Sequence, residues 1–531
     1  MKKIKFLSIV SLVLLLSISC EQEVIELTPP ETETPIENGT PGSANFTKFV
    51  AVGNSFVAGV QGGALFTTGQ NNSLPAIMAT QFAKPGVGGG AFVQPNINAS
   101  LGWNLFVTQP FLSDNSKPIL GRMLLQGASP KPTPQAYAPG NLEALPNPSA
   151  NPGFIYTGGK ATLNNFGVPA IFLGQALIPE TGNWAGAGTD PRFNPFYGRL
   201  AAPPGGTSTL IGDVAASGGT FFLFWLGLDD YFLHAAFGAD PTKAPLTPAT
   251  GAGAASFDLQ YGAAIGALLG SNANLKGVVG NFPDIFKMPH FTAVAYNPIP
   301  LDAATADNLT TNLANNYNAF LTAMAGAGVI TTAEKDKRLI SFAAGQNKAL
   351  IVDETLTDLT AAMNANGAAA LVPYARARQT TAEDKLPLAA GSVLGTLVGG
   401  NPSLINGVTV PLADQYALIP TEIEAINNAR TAYNATVQAI VSANSSKLAL
   451  ADVNAALDGL VAAKVGIYNN VTITPNINPP TGIYSEDGVH LNSRGYALLS
   501  RVFIQAINDT FGATVPLTDI SKYSATGLPI P

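Results

Sequence analysis

The chain has 531 residues, of which 46% are hydrophobic and 11% charged. This composition excludes disorder caused by high charge, because a chain with so many apolar residues must fold. Twenty-seven basic residues against 34 acidic ones, with no Lys/Arg cluster, argue against a nucleic-acid partner. One Cys and three His exclude a structural zinc site, an iron–sulfur cluster and a disulfide framework. We therefore expect no cofactor, and any metal would need oxygen ligands.

Residues 1–20 have the pattern of an export signal. Lysines at the start precede an apolar run, Phe6–Leu16, which is followed by small residues up to Cys20. The apolar run is too short to span a membrane. Because the chain's only Cys lies at the cleavage point, the segment resembles a bacterial lipoprotein signal. The resemblance implies lipidation of Cys20 and a protein anchored in the bacterial cell envelope, at the outer membrane or cell surface. The alternative is an ordinary signal peptide with an incidental Cys.

The segment 21–44 is acidic and rich in proline. It contains six Glu and four Pro residues and no basic residue: Glu21, Glu23, Glu26, Glu31, Glu33, Glu37, Pro29, Pro30, Pro35 and Pro41. This composition predicts an extended, self-repelling tether. We expect the folded domain to cover residues 45–531.

From Asn45 onward, short apolar runs alternate with longer helical patterns, which predicts an α/β fold. The predicted strands are Phe49–Val52, Thr220–Leu226, Gly277–Gly280, Ala349–Val352 and Leu448–Val453. The predicted helices are Leu74–Phe82, Ser256–Leu269, Ala303–Ala325, Thr421–Ala443 and Ser493–Phe511. The strands lack alternation, which indicates burial on both faces and a mostly parallel sheet in a three-layer α/β/α arrangement. Two Gly/Pro-rich stretches, 84–160 and 358–419, are predicted to be insertions that cap the site.

Candidate reactive residues lie at both ends of this pattern. Ser55 follows the first predicted strand, at the carboxyl end where open α/β sheets bind their ligands. Asp487 and His490 lie just before the last predicted helix, in a loop that can reach the same sheet edge. His234 and His290 are predicted to be packed or loop residues without a catalytic role.

Four blocks occur in order along the chain: Gly53–Phe56, Asn164–Pro169, Gly227–Asp230 and Tyr484–Asn492. Together they resemble the SGNH/GDSL hydrolase family. The resemblance implies a flavodoxin-like fold and a serine esterase or lipase without a cofactor. It makes Ser55 the nucleophile, His490 its base and Asp487 the residue that orients the base. It also implies an oxyanion hole formed by the backbone N–H groups of Ser55 and Gly167 and by the side chain at position 229.

The function that follows from this resemblance is an exported esterase that cleaves carboxylic esters through an acyl-enzyme on Ser55. The substrate would be a small-molecule, glycan or lipid ester. The alternative is a catalytically weak or inactive SGNH-like surface lipoprotein that binds a glycan or lipid in the same cleft. A purely structural surface protein is a third possibility, which would leave the four ordered blocks as coincidence.

Two residues depart from the family pattern. Asn54 stands where the family usually has Asp, and Asp229 stands where the family has an Asn that donates to the oxyanion. An ionised Asp only accepts hydrogen bonds and would repel the developing negative charge. The apolar residues around Asp229 favour its protonated form, which can donate. The alternative is a weakened or inactive site.

Overall fold

Five parallel strands form the central sheet of the protein. The computed structural model describes residues 38–105, 120–126, 131–137, 152–201 and 205–526. The strands are β1 (Phe49–Gly53), β2 (Asn165–Gly167), β3 (Phe221–Trp225), β4 (Lys276–Gly280) and β5 (Leu448–Ala451). They lie in the order 2-1-3-4-5, and all neighbouring pairs are parallel. The chain reverses direction of winding between β1 and β3, which is where doubly wound sheets place their ligands.

Helices cover both faces of the sheet, which confirms the α/β prediction and the three-layer arrangement. The main helices are α1 (Ser55–Ala58), α2 (Leu74–Phe82), α3 (Asp229–Ala236), α4 (Phe257–Ser271), α5 (Pro420–Ala443), α6 (Val453–Ala463) and α7 (Ser493–Phe511). α2, α6 and α7 form one layer, whereas α4, α5 and the helix Leu210–Ala216 form the other. Every residue of β1 and β3 is buried. Burial on both faces explains why these strands are continuous apolar runs.

Between β4 and β5, residues 299–419 lie outside the sheet and form an inserted unit, after which α5 returns to the sheet. The helices and strands of the inserted unit are Ile299–Leu301, Ala303–Leu309, Asn315–Gly326, Thr332–Arg338, Gly345–Asn347, Leu350–Val352, Thr360–Ala365, Ala377–Gln379 and Ala390–Val393. Two hydrophobic clusters, one around Tyr317 and one around Leu412, are distinct from the core of the sheet. The buried side chain of Arg378 pairs with Asp353 and Asp384 and joins the parts of this unit.

The prediction that Ala349–Val352 belongs to the main sheet is wrong. Leu350–Val352 pairs antiparallel with Ala377–Gln379 inside the inserted unit. The predicted helix Ala303–Ala325 also lies there, so the insertion begins near Ile299 rather than at residue 358. A short apolar run has the same pattern in a buried parallel strand and in a small antiparallel ribbon, which is why the sequence did not separate the two.

The described parts of the stretch 84–160 lie outside the central sheet. Their main element is a hairpin of two strands, Leu120–Gln126 and Lys131–Ala136. Two shorter strands, Ala64–Leu65 and Trp103–Asn104, pair beside it. The remaining strands, Gly466–Tyr468 and Val471–Ile473, form a hairpin before the terminal helix. The remaining α-helices of the described residues are Thr67–Asn71, Pro195–Ala201 and Pro289–Thr292. No helix within the described residues is long and apolar enough to span a membrane.

The ordered contacts of the domain begin before the expected boundary at residue 45. The predicted signal, Cys20 and most of the tether lie outside the described residues. Gly39 donates its N–H to Pro85 O at 3.0 Å, and Ser43 donates its N–H to Phe511 O at 2.9 Å. Thr514 N–H donates to Thr40 O at 3.0 Å. The last residues of the acidic segment are therefore part of the domain.

These contacts predict that a fragment beginning at residue 45 is less stable than one beginning at residue 38. The loss of three backbone hydrogen bonds should lower the free energy of unfolding by about 1–4 kcal/mol. Urea unfolding of the two fragments, followed by circular dichroism, measures the difference. Equal midpoints would contradict the assignment of residues 38–44 to the domain.

Candidate active site

Ser55 lies at the sharp turn between β1 and α1. The side chain of Asn54 accepts a hydrogen bond from Phe56 N–H at 3.2 Å, which caps the short helix. Gly53 is required by packing, because a Cβ there would lie 2.3 Å from Val57 Cγ2. Ser55 is 3% exposed, so the strand and the cap hold a nearly buried hydroxyl at the carboxyl edge of the sheet.

Asp487 and His490 form a buried pair in the turn before α7. His490 Nδ1 lies 2.7 Å from Asp487 Oδ2, and the N–H groups of Val489 and His490 donate to Oδ1 at 2.8 Å each. Burial opposes ionisation of Asp487, but the neighbouring His490 and these hydrogen bonds hold its pKa below the ordinary value. The carboxylate therefore stays charged and fixes the orientation of the imidazole ring.

The segment after α1 brings this pair to Ser55. Gly63 N–H donates to Asp487 Oδ2, and Gly62 N–H donates to Ser485 Oγ at 2.9 Å. The ring of Phe56, the residue next to Ser55, lies 5.0 Å from the His490 ring. The structure thus places the predicted nucleophile, base and orienting carboxylate at one edge of the sheet.

The predicted donor at Gly167 has a different use in the structure. Its N–H donates to Asn165 Oδ1 at 2.9 Å rather than toward Ser55. Gly167 is needed because a Cβ there would lie 2.3 Å from Ala58 N, so β2 presses directly on α1. The N–H of Ala170 donates instead to Ser55 Oγ, at 3.1 Å.

Ala170 has an uncommon backbone conformation, with a φ of 52°. Asn194 supports it, because its side-chain amide donates to Pro169 O at 2.9 Å and to Ala170 O at 3.2 Å. No local pattern in the sequence points to Ala170, since Gly and Asn are the residues usually found at positive φ. The proline before it and the distant Asn194 are the features that hold this donor.

Asp229 begins α3, the helix that follows β3, and β3 is the strand next to β1. The residue is 3% exposed. Burial and the adjacent Asp230 raise the pKa of Asp229 to about 8, while Asn54 and the Ile171 N–H act in the opposite direction. Asp229 Oδ2 makes no hydrogen bond of standard geometry within the described residues. The group is therefore mostly protonated at pH 7 and can donate a hydrogen bond, as the apolar surroundings predict.

Asp230 is buried next to Asp229 in the chain, and its hydrogen bonds are structural. It accepts hydrogen bonds from Leu173 N–H at 2.9 Å and from the Thr247 hydroxyl at 2.7 Å. Burial raises its pKa to about 7 despite these bonds. The loop from Pro169 to Leu173 is thus anchored beside both carboxyl groups.

A group of three carboxyl side chains elsewhere, Glu354, Asp414 and Glu422, brings one oxygen each within 4.8 Å of the others. Burial and the charge of Glu354 raise the pKa of Asp414 to about 7, and burial raises that of Glu422 to about 7. Retained protons are enough to explain this proximity. The residues around Ser55 do not include these three side chains.

No family model, curated protein or solved structure matches the chain.

The raised pKa of Asp229 predicts how the stability of an Asp229→Asn variant depends on pH. An unfolded Asp titrates near 3.9, whereas the folded group titrates near 8. Between these values the unfolded chain gains charge that the folded chain lacks, so this group lowers stability progressively as the pH rises.

Asn cannot ionise, so the stability gained by Asp229→Asn should grow from pH 5 to pH 8 and level off above that. Urea unfolding of parent and variant at pH 5, 7 and 9 gives the difference in free energy. A difference that does not change with pH would contradict the buried, protonated state of Asp229.

Proposed function

We propose that the protein is a serine esterase of the SGNH type that cleaves carboxylic esters through an acyl-enzyme on Ser55. The observation that carries the proposal is the buried His490–Asp487 pair, with Nδ1 2.7 Å from Oδ2, beside the helix that begins with Ser55. The position of all three residues at the switch point of a 2-1-3-4-5 parallel sheet supports it.

The chemistry follows from the roles of the two ring nitrogens. Asp487 holds the proton of His490 on Nδ1, which leaves Nε2 to accept the Ser55 proton as Oγ attacks the ester carbonyl. The imidazolium then gives this proton to the departing alcohol. In the second half-reaction, His490 takes a proton from water, the resulting attack releases the acid, and Ser55 regains its proton.

Three groups support stabilisation of the oxyanion. The Ala170 N–H already lies 3.1 Å from Ser55 Oγ, within reach of an oxygen that develops charge next to it. The Ser55 N–H is in the first turn of α1, where backbone donors have no partner within the helix. A protonated Asp229 would supply the side-chain donor that the family takes from Asn. We assign Ala170 the role first expected of Gly167.

The sequence of the first residues also supports a location. We propose export, lipidation at Cys20 and attachment to the cell envelope, with the acidic segment as spacer. The substrate would be an ester carried by a small molecule, a glycan or a lipid that reaches this surface. None of these steps requires a cofactor.

A fluorophosphonate probe tests the nucleophile directly. We expect stoichiometric labelling of Ser55 in the folded chain, detected by mass spectrometry of the modified peptide. Ser55→Ala should abolish labelling, whereas Ser403→Ala, at an exposed loop position in the inserted unit, should label like the parent. A folded parent that remains unlabelled would exclude the serine-esterase proposal.

The role of Asp229 is tested by the pH dependence of turnover. Turnover of the parent should fall as the pH rises through about 8, because Asp229 loses the proton that it donates. Asp229→Asn keeps a donor at every pH, so its kcat relative to the parent should rise about tenfold between pH 7 and pH 9.

Initial rates with a p-nitrophenyl ester, corrected for spontaneous hydrolysis, measure this ratio. Asp258→Asn is the matched control, because Asp258 also lies in the first turn of a helix, α4, where its side chain accepts a hydrogen bond from Leu259 N–H at 2.9 Å. Its pH profile should follow that of the parent. A large fall in turnover of Asp229→Asn at pH 7 would show that the carboxyl group itself is required.

A further inference from the structure

His290 lies against the turn that carries Asp487, the carboxylate that orients His490. It belongs to the short helix Pro289–Thr292 after β4, and only 7% of it is exposed. Its Nδ1 lies 3.2 Å from the backbone O of Asp487, and its N–H donates to Gly488 O at 2.9 Å. Two consecutive peptide groups of the catalytic turn are thus held by one residue.

The packing leaves this turn little freedom. Gly488 has a φ of 72°, and a Cβ there would lie 2.7 Å from His290 N, so the turn is pressed onto the His290 backbone. The His290 ring packs between Phe291, at 4.8 Å, and Phe232 of α3, at 6.1 Å. The ring therefore connects the turn of Asp487 with the helix that begins at Asp229.

The same residue is also an attachment point of the inserted unit. Leu388 donates its N–H to His290 O at 2.6 Å, and Leu386 forms a β-bridge with Val294, a few residues further on. Leu386 belongs to the hydrophobic cluster around Leu412. His290 is thus bonded through its backbone carbonyl to the insertion and through its N–H and ring to the catalytic turn.

We infer that His290 is a positioning residue. It holds the Asp487–Gly488 turn in place and so keeps His490 in the orientation that its reaction with Ser55 requires. The inference rests on the proposed esterase function, but it concerns geometry that exists without substrate. A neutral ring with its proton on Nδ1 donates to the Asp487 carbonyl. Burial lowers the pKa of His290 and so favours this neutral form.

Loss of the ring donor should loosen the turn without removing any group that touches the substrate. The buried Asp487 carbonyl would lose its partner, and rotation of that peptide would carry the carboxylate away from the imidazole. A displacement of about 1 Å in such a constellation costs up to about 100-fold in rate. The effect should therefore appear in kcat and leave KM unchanged.

Two amide substitutions test whether a donor at the position of His290 Nδ1 is required or whether any polar side chain is sufficient. The amide nitrogen of Asn can occupy the position of the His Nδ1, so His290→Asn should keep kcat within about threefold. The longer side chain of Gln places its amide near the position of Nε2, so His290→Gln should lower kcat about 10- to 100-fold.

His234→Gln is the matched control. His234 is also buried, at 8% exposure, and its Nδ1 also contacts a backbone carbonyl, Ala244 O at 2.7 Å. That carbonyl is remote in sequence from the catalytic turn. The control variant should have the kcat and KM of the parent.

A second measurement needs no turnover. In the full chain labelled with ¹⁵N-histidine, the proton on His490 Nδ1 is assigned by its absence in His490→Gln. We expect it to be shifted or lost to exchange in His290→Gln and retained in His290→Asn and His234→Gln. Equal effects of the Asn and Gln variants at position 290, or no effect of either, would overturn the inference. Failure of the esterase proposal is distinct, since it would appear as an unlabelled, inactive parent while the resonance still reports on His290.

Discussion

The geometry of the site depends on one buried carboxylate. Asp487 faces five donors: the N–H groups of Gly63, Val489 and His490, the ring Nδ1 of His490 and the hydroxyl of Ser485. Only an ionised carboxylate accepts from all of them, because an amide would turn its own NH₂ group toward some of them. This charge therefore joins the segment after α1 to the turn before α7, although more than 400 residues separate them. The positions of Ser55 and His490 relative to each other follow from this junction.

Two carboxyl groups at the same sheet edge have opposite states for identifiable reasons. The neighbouring His490 ring and the backbone N–H groups of Val489 and His490 keep Asp487 ionised in spite of its burial. Asp229 has few donors and a second carboxyl group beside it, so burial determines its state and the proton stays on. A pair of acids whose pKa values are pushed apart by their surroundings is a common basis for dividing catalytic roles. In the proposed mechanism, Asp487 would orient the base, His490, and Asp229 would donate a hydrogen bond to the oxyanion.

The sequence predicts the parts of the fold that have strong and long patterns. The helices Leu74–Phe82 and Ser493–Phe511 have the predicted limits, and four predicted strands lie in the main sheet. β2 is missing from the predicted strands, because a run of three residues has no recognisable pattern; it lies inside the block Asn164–Pro169. Ser55, Asp487 and His490 could be placed because strand ends and the terminal turn share one edge. Ala170 and His290 act through backbone geometry and contacts distant in sequence, and neither leaves a local signal.

The position of the inserted unit has a consequence for how the chain folds. Residues 281–447 separate β4 from β5, although the two strands are neighbours in the sheet. Their pairing must therefore wait until a very long loop has closed, and such non-local parallel pairings form slowly. Until then β4 presents an open hydrogen-bonding edge to other molecules, which is a known route to aggregation. An insertion with hydrophobic clusters of its own can collapse early and shorten the effective loop, so the residues that keep β4 and β5 apart in sequence would also help the two strands to meet.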